Sequence, residues 1–256
     1  MATLAEAVQD FDNKEIRHIV PVSGGKDSAA LAIYLRTRFP KAQFEYLFTD
    51  TDCELPETYE FLERLEALLG AKITRVSALD YMPVQKKSGR KAFDILLKEY
   101  YGGFLLSPQT RWCTTTMKIK IFEKFVGSSV AYSYIGLRAD EGQRVGYVAK
   151  KPPVISQQPN IRAVYPFRDV GLYLDDITAI LEDSGIGLPS YYQWRSRSGC
   201  YFCFYQQIGE WQGLKERHPE LFEKAKEYEK TSGEKKYTWL SGRSLSELEK
   251  IDKRYG

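Results

Sequence analysis

Six consecutive residues, Ser23-Gly24-Gly25-Lys26-Asp27-Ser28, constrain this chain more than any other stretch. An apolar segment, His18-Ile19-Val20-Pro21-Val22, leads into them, and Ala29 to Leu35 follows with helical character. Strand, glycine turn and helix in that order form a phosphate cradle. Adjacent glycines let the backbone approach an anion closely. The first N–H groups of the helix then point at it, helped by the helix dipole. Lys26 adds a mobile positive charge, and Ser23 and Ser28 add hydroxyl donors. The spacing is neither G-x-x-x-x-G-K-S/T nor G-x-G-x-x-G, which sets aside the two most familiar nucleotide loops. A glycine-rich turn without a ligand is the plain alternative, and the strand–loop–helix order argues against it.

The rest of the chain alternates in the same way. Phe44 to Thr49 reads as a strand that ends in Asp50-Thr51-Asp52-Cys53. Pro56 suits the first turn of a helix, Tyr59, Leu62, Leu65 and Leu68 give it an apolar stripe, and Gly70 ends it. Lys72 to Val76 predicts a third strand, 117–125 a helix, and Val130 to Ile135 a further strand. One helix is expected over 92–100 in an otherwise irregular 80–110. The segment 145–163, rich in Lys, Pro, Gln and Asn, reads as a surface loop or lid. Helical patterns dominate later, over 173–184, 207–230 and 244–253. The expected fold is α/β, a doubly wound, mainly parallel sheet in a nucleotide-binding domain over 1–170, with a helical C-terminal region over 171–256.

Composition excludes more than it selects. With 256 residues and a formal charge of +3, the chain is not a strongly basic non-specific DNA binder. Lys86-Lys87-Ser88-Gly89-Arg90-Lys91 and Lys150-Lys151 are local basic stretches, read equally well as solvated loops or as nucleic-acid contacts. No apolar run reaches the roughly 20 residues of a membrane span, and the first residues lack the pattern of a signal peptide. A cytoplasmic protein with no membrane partner is expected. Disulfides are disfavoured there, so Cys53, Cys113, Cys200 and Cys203 need another explanation. Cys200 and Cys203 form a C-x-x-C pair, which alone fits a redox couple, a zinc half-site or an iron–sulfur half-site. Zinc wants four closed ligands, and neither His18 nor His218 has paired ligand spacing.

Ser23 to Ser28 resembles the PP-loop of the ATP pyrophosphatases, the adenine nucleotide alpha hydrolases of the HUP group. These split ATP between the α and β phosphates. Asp50-Thr51-Asp52-Cys53-Glu54-Leu55-Pro56-Glu57-Thr58-Tyr59 resembles the D-T-G-x-x-x-P-E-T-Y segment of the phosphoadenosine phosphosulfate (PAPS) reductase family, departing at Asp52, where the family has glycine. Gly136-Leu137-Arg138-Ala139-Asp140-Glu141-Gly142-Gln143-Arg144 is similar to its G-x-R-x-x-E-S-x-R stretch. The resemblance implies a site for ATP and Mg²⁺ built from Ser23, Gly24, Gly25, Lys26, Asp27, Ser28, Asp50, Arg138 and Arg144. Lys26 and Asp27 are its catalytic candidates, and Asp27 and Asp50 the candidate Mg²⁺ ligands.

Arg111 to Lys118, with Cys113 inside, resembles the family's R-x-C-x-x-x-x-K segment. In the iron–sulfur branch this segment and a later C-x-x-C hold a [4Fe-4S] cluster, which implies Cys113, Cys200 and Cys203 as metal ligands, with zinc as the lesser alternative. Arg111, Lys118, Arg195 and Arg197 would favour thiolates. Cys53 is left as a fourth ligand, a sulfur-handling nucleophile or a packed thiol. The reductases carry a catalytic cysteine in an E-C-G-L-H tail, and no cysteine follows Cys203. The expected activity is therefore ATP-dependent sulfur transfer, resembling the DNA phosphorothioation branch. That implies a nucleotide substrate, a DNA or tRNA acceptor, a cysteine desulfurase as sulfur donor, and a homo-oligomer or multi-protein system. Tyr191-Tyr192-Gln193-Trp194-Arg195-Ser196-Arg197 would either contact nucleic acid or cover the cluster. A small-sulfonucleotide reductase and a non-catalytic nucleotide-binding subunit with a structural metal are the alternatives.

Overall fold

The computed structural model describes residues 2–83, 89–143, 156–233 and 236–250. In chain order its elements are α1 (Leu4–Gln9), β1 (Ile16–Pro21), α2 (Lys26–Arg38), β2 (Glu45–Asp50), α3 (Pro56–Leu69), β3 (Ile73–Ser77), α4 (Ala92–Ile95), α5 (Lys120–Val126), β4 (Val130–Tyr134), β5 (Ile161–Val164), α6 (Pro166–Val170), α7 (Leu174–Asp183), α8 (Ile208–Arg217), α9 (Pro219–Glu227) and α10 (Leu245–Leu248). A π-helical turn, Leu96–Tyr100, continues α4, and a second, Thr114–Ile119, leads into α5.

Two compact units share the chain, and neither is contiguous. The first comprises Met1–Thr49, Pro56–Val76 and Ile119–Ser190; the second comprises Asp50–Leu55, Ser77–Lys118 and Tyr191–Gly256. This division differs from a single cut near residue 170.

The first unit is built on a five-stranded sheet of order β3-β2-β1-β4-β5. β1 pairs in parallel with β2 and with β4, and β4 with β5. The α/β doubly wound expectation holds. The order reverses between β1 and β4, and in such sheets that switch point is where ligands bind. Ile19 and Val20 are fully buried in the central strand, and α2 packs Ala29, Ala30, Leu31, Ala32 and Leu35 into the same core. The α3 stripe is rotated from the sequence expectation. Phe61, Leu62, Leu65 and Leu69 are buried, whereas Leu68 is 43% exposed.

β5 corrects the reading of 145–163 as a loop throughout. Ile161 to Val164 lies in register with Ala131 to Tyr134, with Arg162 exposed between buried neighbours. Four residues give too short an alternation to stand out from the polar run before them. Residues 145–155 of that segment lie outside the described residues. His18, expected as a core or edge residue, is buried; its Nδ1 lies 2.7 Å from Tyr134 Oη and its Nε2 lies 3.3 Å from Asp10 O.

The second unit has an aromatic core. The Phe93 ring stacks on Trp112 at 5.4 Å and lies 4.3 Å from Phe202, which stacks on Trp239 at 5.1 Å. The polar edges find partners: Trp112 Nε1 donates to Phe104 O, Trp239 Nε1 to Ala225 O, and Tyr228 Oη to Asp94 Oδ1. The helix expected over 207–230 breaks at His218, because Pro219 has no N–H and starts α9 as its first residue. Among the described residues no helix is long and apolar enough to cross a membrane.

Candidate functional site

In the first unit the loop between β1 and α2 is shaped for an anion. Gly25 is the N-cap of α2 and offers no side-chain cap, so the first helical N–H groups are not closed off by a side chain. Gly24 has φ +72°, and a Cβ there would fall 2.5 Å from Thr58 Cγ2. Both the dihedral and the space demand glycine. Ser28 Oγ accepts from Ser23 N at 3.0 Å, donates to Gly25 O at 3.1 Å and lies 3.1 Å from Ser23 Oγ, tying the loop into a ring. Lys26 Nζ lies 3.5 Å from Asp27 Oδ2.

The loop's second wall is the stretch after β4. A Cβ on Gly136 would fall 2.8 Å from Asp27 O, so glycine permits the two backbones to meet. Two residues on, Arg138 is 3% exposed and fully committed. Its Nη1 donates to Asp27 Oδ1 at 2.5 Å, its Nε to Asp140 Oδ1 at 2.9 Å, and its Nη2 lies 3.7 Å from Glu141 Oε1. Burial opposes its charge, but the bonds to Asp140 and Asp27 more than offset this and raise its pKa. Arg138 therefore braces the loop through Asp27 rather than facing a phosphate. Asp27, held by Arg138 and Lys26, is not an open Mg²⁺ ligand. Arg144, the other expected arginine, lies outside the described residues.

The second unit holds the turn after β2 and all four cysteines. Asp52 has φ +59°, the left-handed conformation that explains why glycine suits this position. Aspartate is held there by its surroundings. Its N–H donates to Asp50 Oδ1 at 2.8 Å, its Oδ2 accepts from Ser77 Oγ at 3.1 Å, and its carbonyl accepts from Lys91 Nζ at 2.6 Å. Burial, then repulsion from Asp50, pushes its carboxyl pKa up. The turn delivers Thr51 and Glu54 to Cys200, a pairing that sequence reasoning missed. Thr51 Oγ1 lies 3.2 Å from Cys200 Sγ and donates to Glu54 Oε1 at 3.0 Å; Cys200 Sγ lies 3.7 Å from the same oxygen. The available signal was an acidic residue between two apolar ones, Cys53 and Leu55.

All four cysteines are free. Tyr201 N donates to Cys53 O, and Arg195, itself buried, donates to the carbonyls of Gly199 and Cys200, which fixes the C-x-x-C turn. Tyr191 is fully buried and Trp194 packs against Gly213, so these two aromatics before the turn pack within the second unit. Burial pushes the Cys200 and Cys113 thiols up. Lys118 is the counterweight. Burial disfavours its charge, yet Glu54, Cys200, Cys113 and Cys203 together raise its pKa. The charge of Lys118 is thus felt by three thiols and one carboxylate. Among the described residues, however, no three His, Cys, Asp or Glu side chains are gathered as a ready metal site. Cys53 is 1% exposed and burial raises its pKa strongly, so its thiol stays protonated and shut away from any substrate. That does not suit the nucleophile expected there. On the exposed side, Arg197 lies over the Tyr205 ring at 4.8 Å and Arg111 Nη1 reaches Tyr205 Oη at 3.4 Å.

The comparisons with known proteins agree with this frame. Two uncharacterized proteins of Methanocaldococcus jannaschii are each 24% identical, one over 80% of this chain and the other over 83%. The chain spans less than half the length of either, 40% and 47%. Among solved structures, the U34-tRNA thiolase NcsA from Methanococcus maripaludis, with its [4Fe-4S] cluster, has a TM-score of 0.50 at 16% identity over 85% of this chain and 72% of that one. At such identity the likeness is one of fold. A PAPS reductase from Candida auris, in a phosphate complex, has a TM-score of 0.49 at 14% identity, over 77% of this chain and 85% of that one. The model of the phosphoadenosine phosphosulfate reductase domain matches residues 17–211, three-quarters of the sequence, and the chain belongs to that family.

Proposed function

We propose that the chain is an ATP pyrophosphatase that transfers sulfur to a nucleic acid, with a DNA backbone phosphate as the acceptor. An acceptor oxygen attacks the α-phosphorus of ATP, the bond to the β-phosphate oxygen breaks, and pyrophosphate leaves. Lys26 and the open amides of α2 stabilise the charge that develops on that leaving group. The adenylated oxygen is then expelled as AMP when a sulfur nucleophile attacks the acceptor phosphorus. Mg²⁺ accompanies the nucleotide phosphates.

What supports the sulfur half of this reading is the C-x-x-C turn fixed by Arg195, with Thr51 Oγ1 3.2 Å from Cys200 Sγ and the positive charge of Lys118 acting on Cys113, Cys200 and Cys203. Three cysteines and a lysine are the residue types of an iron–sulfur site, although among the described residues they are not gathered as a formed metal site. Cys113, Cys200 and Cys203 would hold a [4Fe-4S] cluster, which supplies the sulfur when bound; zinc is the lesser alternative. A sulfur-donor protein such as a cysteine desulfurase is the expected partner. The exposed Arg111, Tyr205 and Arg197 suit a nucleic-acid strand, since guanidinium groups take phosphates and an aromatic ring takes a base. The thiolase named above makes tRNA the second acceptor to test.

The test is pyrophosphate release from ATP and transfer of labelled sulfide, each measured with DNA, with tRNA and without acceptor. Lys26→Ala is expected to lower pyrophosphate release by 10²-fold or more, to about the loss seen when an electrostatic stabiliser is removed. Cys200→Ala is expected to keep pyrophosphate release and lose sulfur transfer. Sulfite release from a sulfonucleotide, with no pyrophosphate from ATP, would overturn the proposal in favour of a reductase.

A further inference from the structure

Thr58 divides its side chain between two unlike surroundings. It lies in the first turn of α3 and is 1% exposed. Its hydroxyl oxygen is buried and has no hydrogen-bond partner among the described residues. Its methyl is pressed against the anion loop: the point where a Cβ on Gly24 would sit lies 2.5 Å from Thr58 Cγ2 and 3.8 Å from Leu62 Cγ. Thr58 and Leu62 stand about one helical turn apart, so both lie on the same face of α3. The helix itself is fixed, because Phe61, Leu62, Leu65 and Leu69 are buried in the core of the first unit. The loop therefore meets a rigid wall.

Gly24 needs such a wall. It sits at φ +72°, and glycine by itself adopts positive and negative φ about equally readily. The peptide after Gly24 turns with its dihedrals, and with it the N–H of Gly25, the N-cap residue of α2. A swing at Gly24 would redirect the donors that an anion needs. The Ser23–Ser28 hydrogen bonds tie the ends of the loop, Gly136 packs against Asp27, and the Thr58 methyl bears on Gly24 between these anchors. We propose that Thr58 is a positioning residue of the nucleotide site: its methyl, acting through Gly24, holds the loop in the conformation that receives the pyrophosphate portion of ATP, and its hydroxyl takes no part. The inference rests on the ATP pyrophosphatase reading above. Serine keeps the hydroxyl and drops the methyl, whereas valine keeps the methyl and drops the hydroxyl, so the two halves of the side chain can be tested apart.

The test uses the full chain as wild type, Thr58→Ser and Thr58→Val. ATP with Mg²⁺ and inorganic pyrophosphate are the probes in calorimetric titration, and pyrophosphate release from ATP gives KM and kcat. If loss of the methyl leaves about a fifth of the loops in the receptive conformation, Thr58→Ser binds both probes about fivefold more weakly. Bound nucleotide restores that conformation, so the loss should appear in KM with kcat held within about twofold. Thr58→Val should rescue affinity and KM to within about twofold of wild type, and should melt no lower than wild type, since it removes a buried hydroxyl without a partner. Wild-type affinity in Thr58→Ser, a loss confined to kcat, or a Thr58→Val as weak as Thr58→Ser overturns the assignment. A double variant probes the contact itself. Gly24→Ala puts a Cβ 2.5 Å from the Thr58 methyl, and Thr58→Ser removes that methyl. The pair together should therefore lose less ATP affinity than the product of the two single losses, and strictly multiplicative losses overturn the contact. Wild type that binds neither probe overturns the nucleotide reading together with this inference, an outcome distinct from a wild type that binds and a Thr58→Ser that equals it.

Discussion

Arg138 meets three carboxylates in a space that is almost closed to water, and its value lies in what it does to Asp27. Removing the guanidinium would leave those acids facing one another. Asp27 keeps some solvent contact, which tempers the penalty; Arg138→Ala should cost about 2–4 kcal/mol, read as a shift in the urea midpoint. Asp52 offers a sharper residue-level test. Its positive φ costs an ordinary side chain about 1–2 kcal/mol, and its hydrogen bonds return part of that. Asp52→Ala keeps the strain and loses the Ser77 contact, so it should destabilise, whereas Asp52→Gly loses the contact and removes the strain. Asp52→Gly should therefore be the more stable of the two by about 1 kcal/mol or more in the same measurement. The departure from the family's glycine was visible in the sequence. The backbone conformation that reconciles it was not, because it depends on Ser77 and Lys91 reaching back from later in the chain.

Elements were legible where their pattern is long and local. β1, the glycine loop and α2 lie within 23 residues of one another and matched expectation. The short edge strand β5 was hidden by its length, and α3 presented Leu68 outward because Phe61 and Leu69 complete the buried face instead. The thiol site shows the opposite limit. Glu54 and Cys200 stand 146 positions apart, so no spacing rule could join them. How elements approach also sets a prediction. Gly136 carries the exit from β4 to within 2.8 Å of the Asp27 carbonyl, measured from where a Cβ would sit. Gly136→Ala should force the two backbones apart, at a cost of about 1–3 kcal/mol and with weaker ATP binding, checked by calorimetric titration and thermal melting.

Across the whole molecule the buried titratable groups set how stability answers to pH. Burial lowers the pKa of His18 below its usual 6.5, against a partial opposing pull from Asp10. The unfolded chain therefore takes up a proton at a pH where the folded chain does not. Stability is fully present above pH 6.5, the unfolded value, and falls as pH drops toward the folded one. Between pH 7 and 5 wild type should lose more stability than His18→Gln, which cannot titrate; parallel denaturation curves for the two would contradict this. The interleaving of the units has a consequence for synthesis. Each thiol-bearing stretch leaves the ribosome separately, Cys53 first, Cys113 next and the C-x-x-C last. At ordinary elongation rates roughly ten seconds pass between Cys113 and Cys200. Throughout that interval the nascent chain carries cysteines whose eventual neighbours do not yet exist. The second unit can close only after Tyr191 onward has been made, so it is an assembly of early and late peptide that no fragment ending before that point can reproduce.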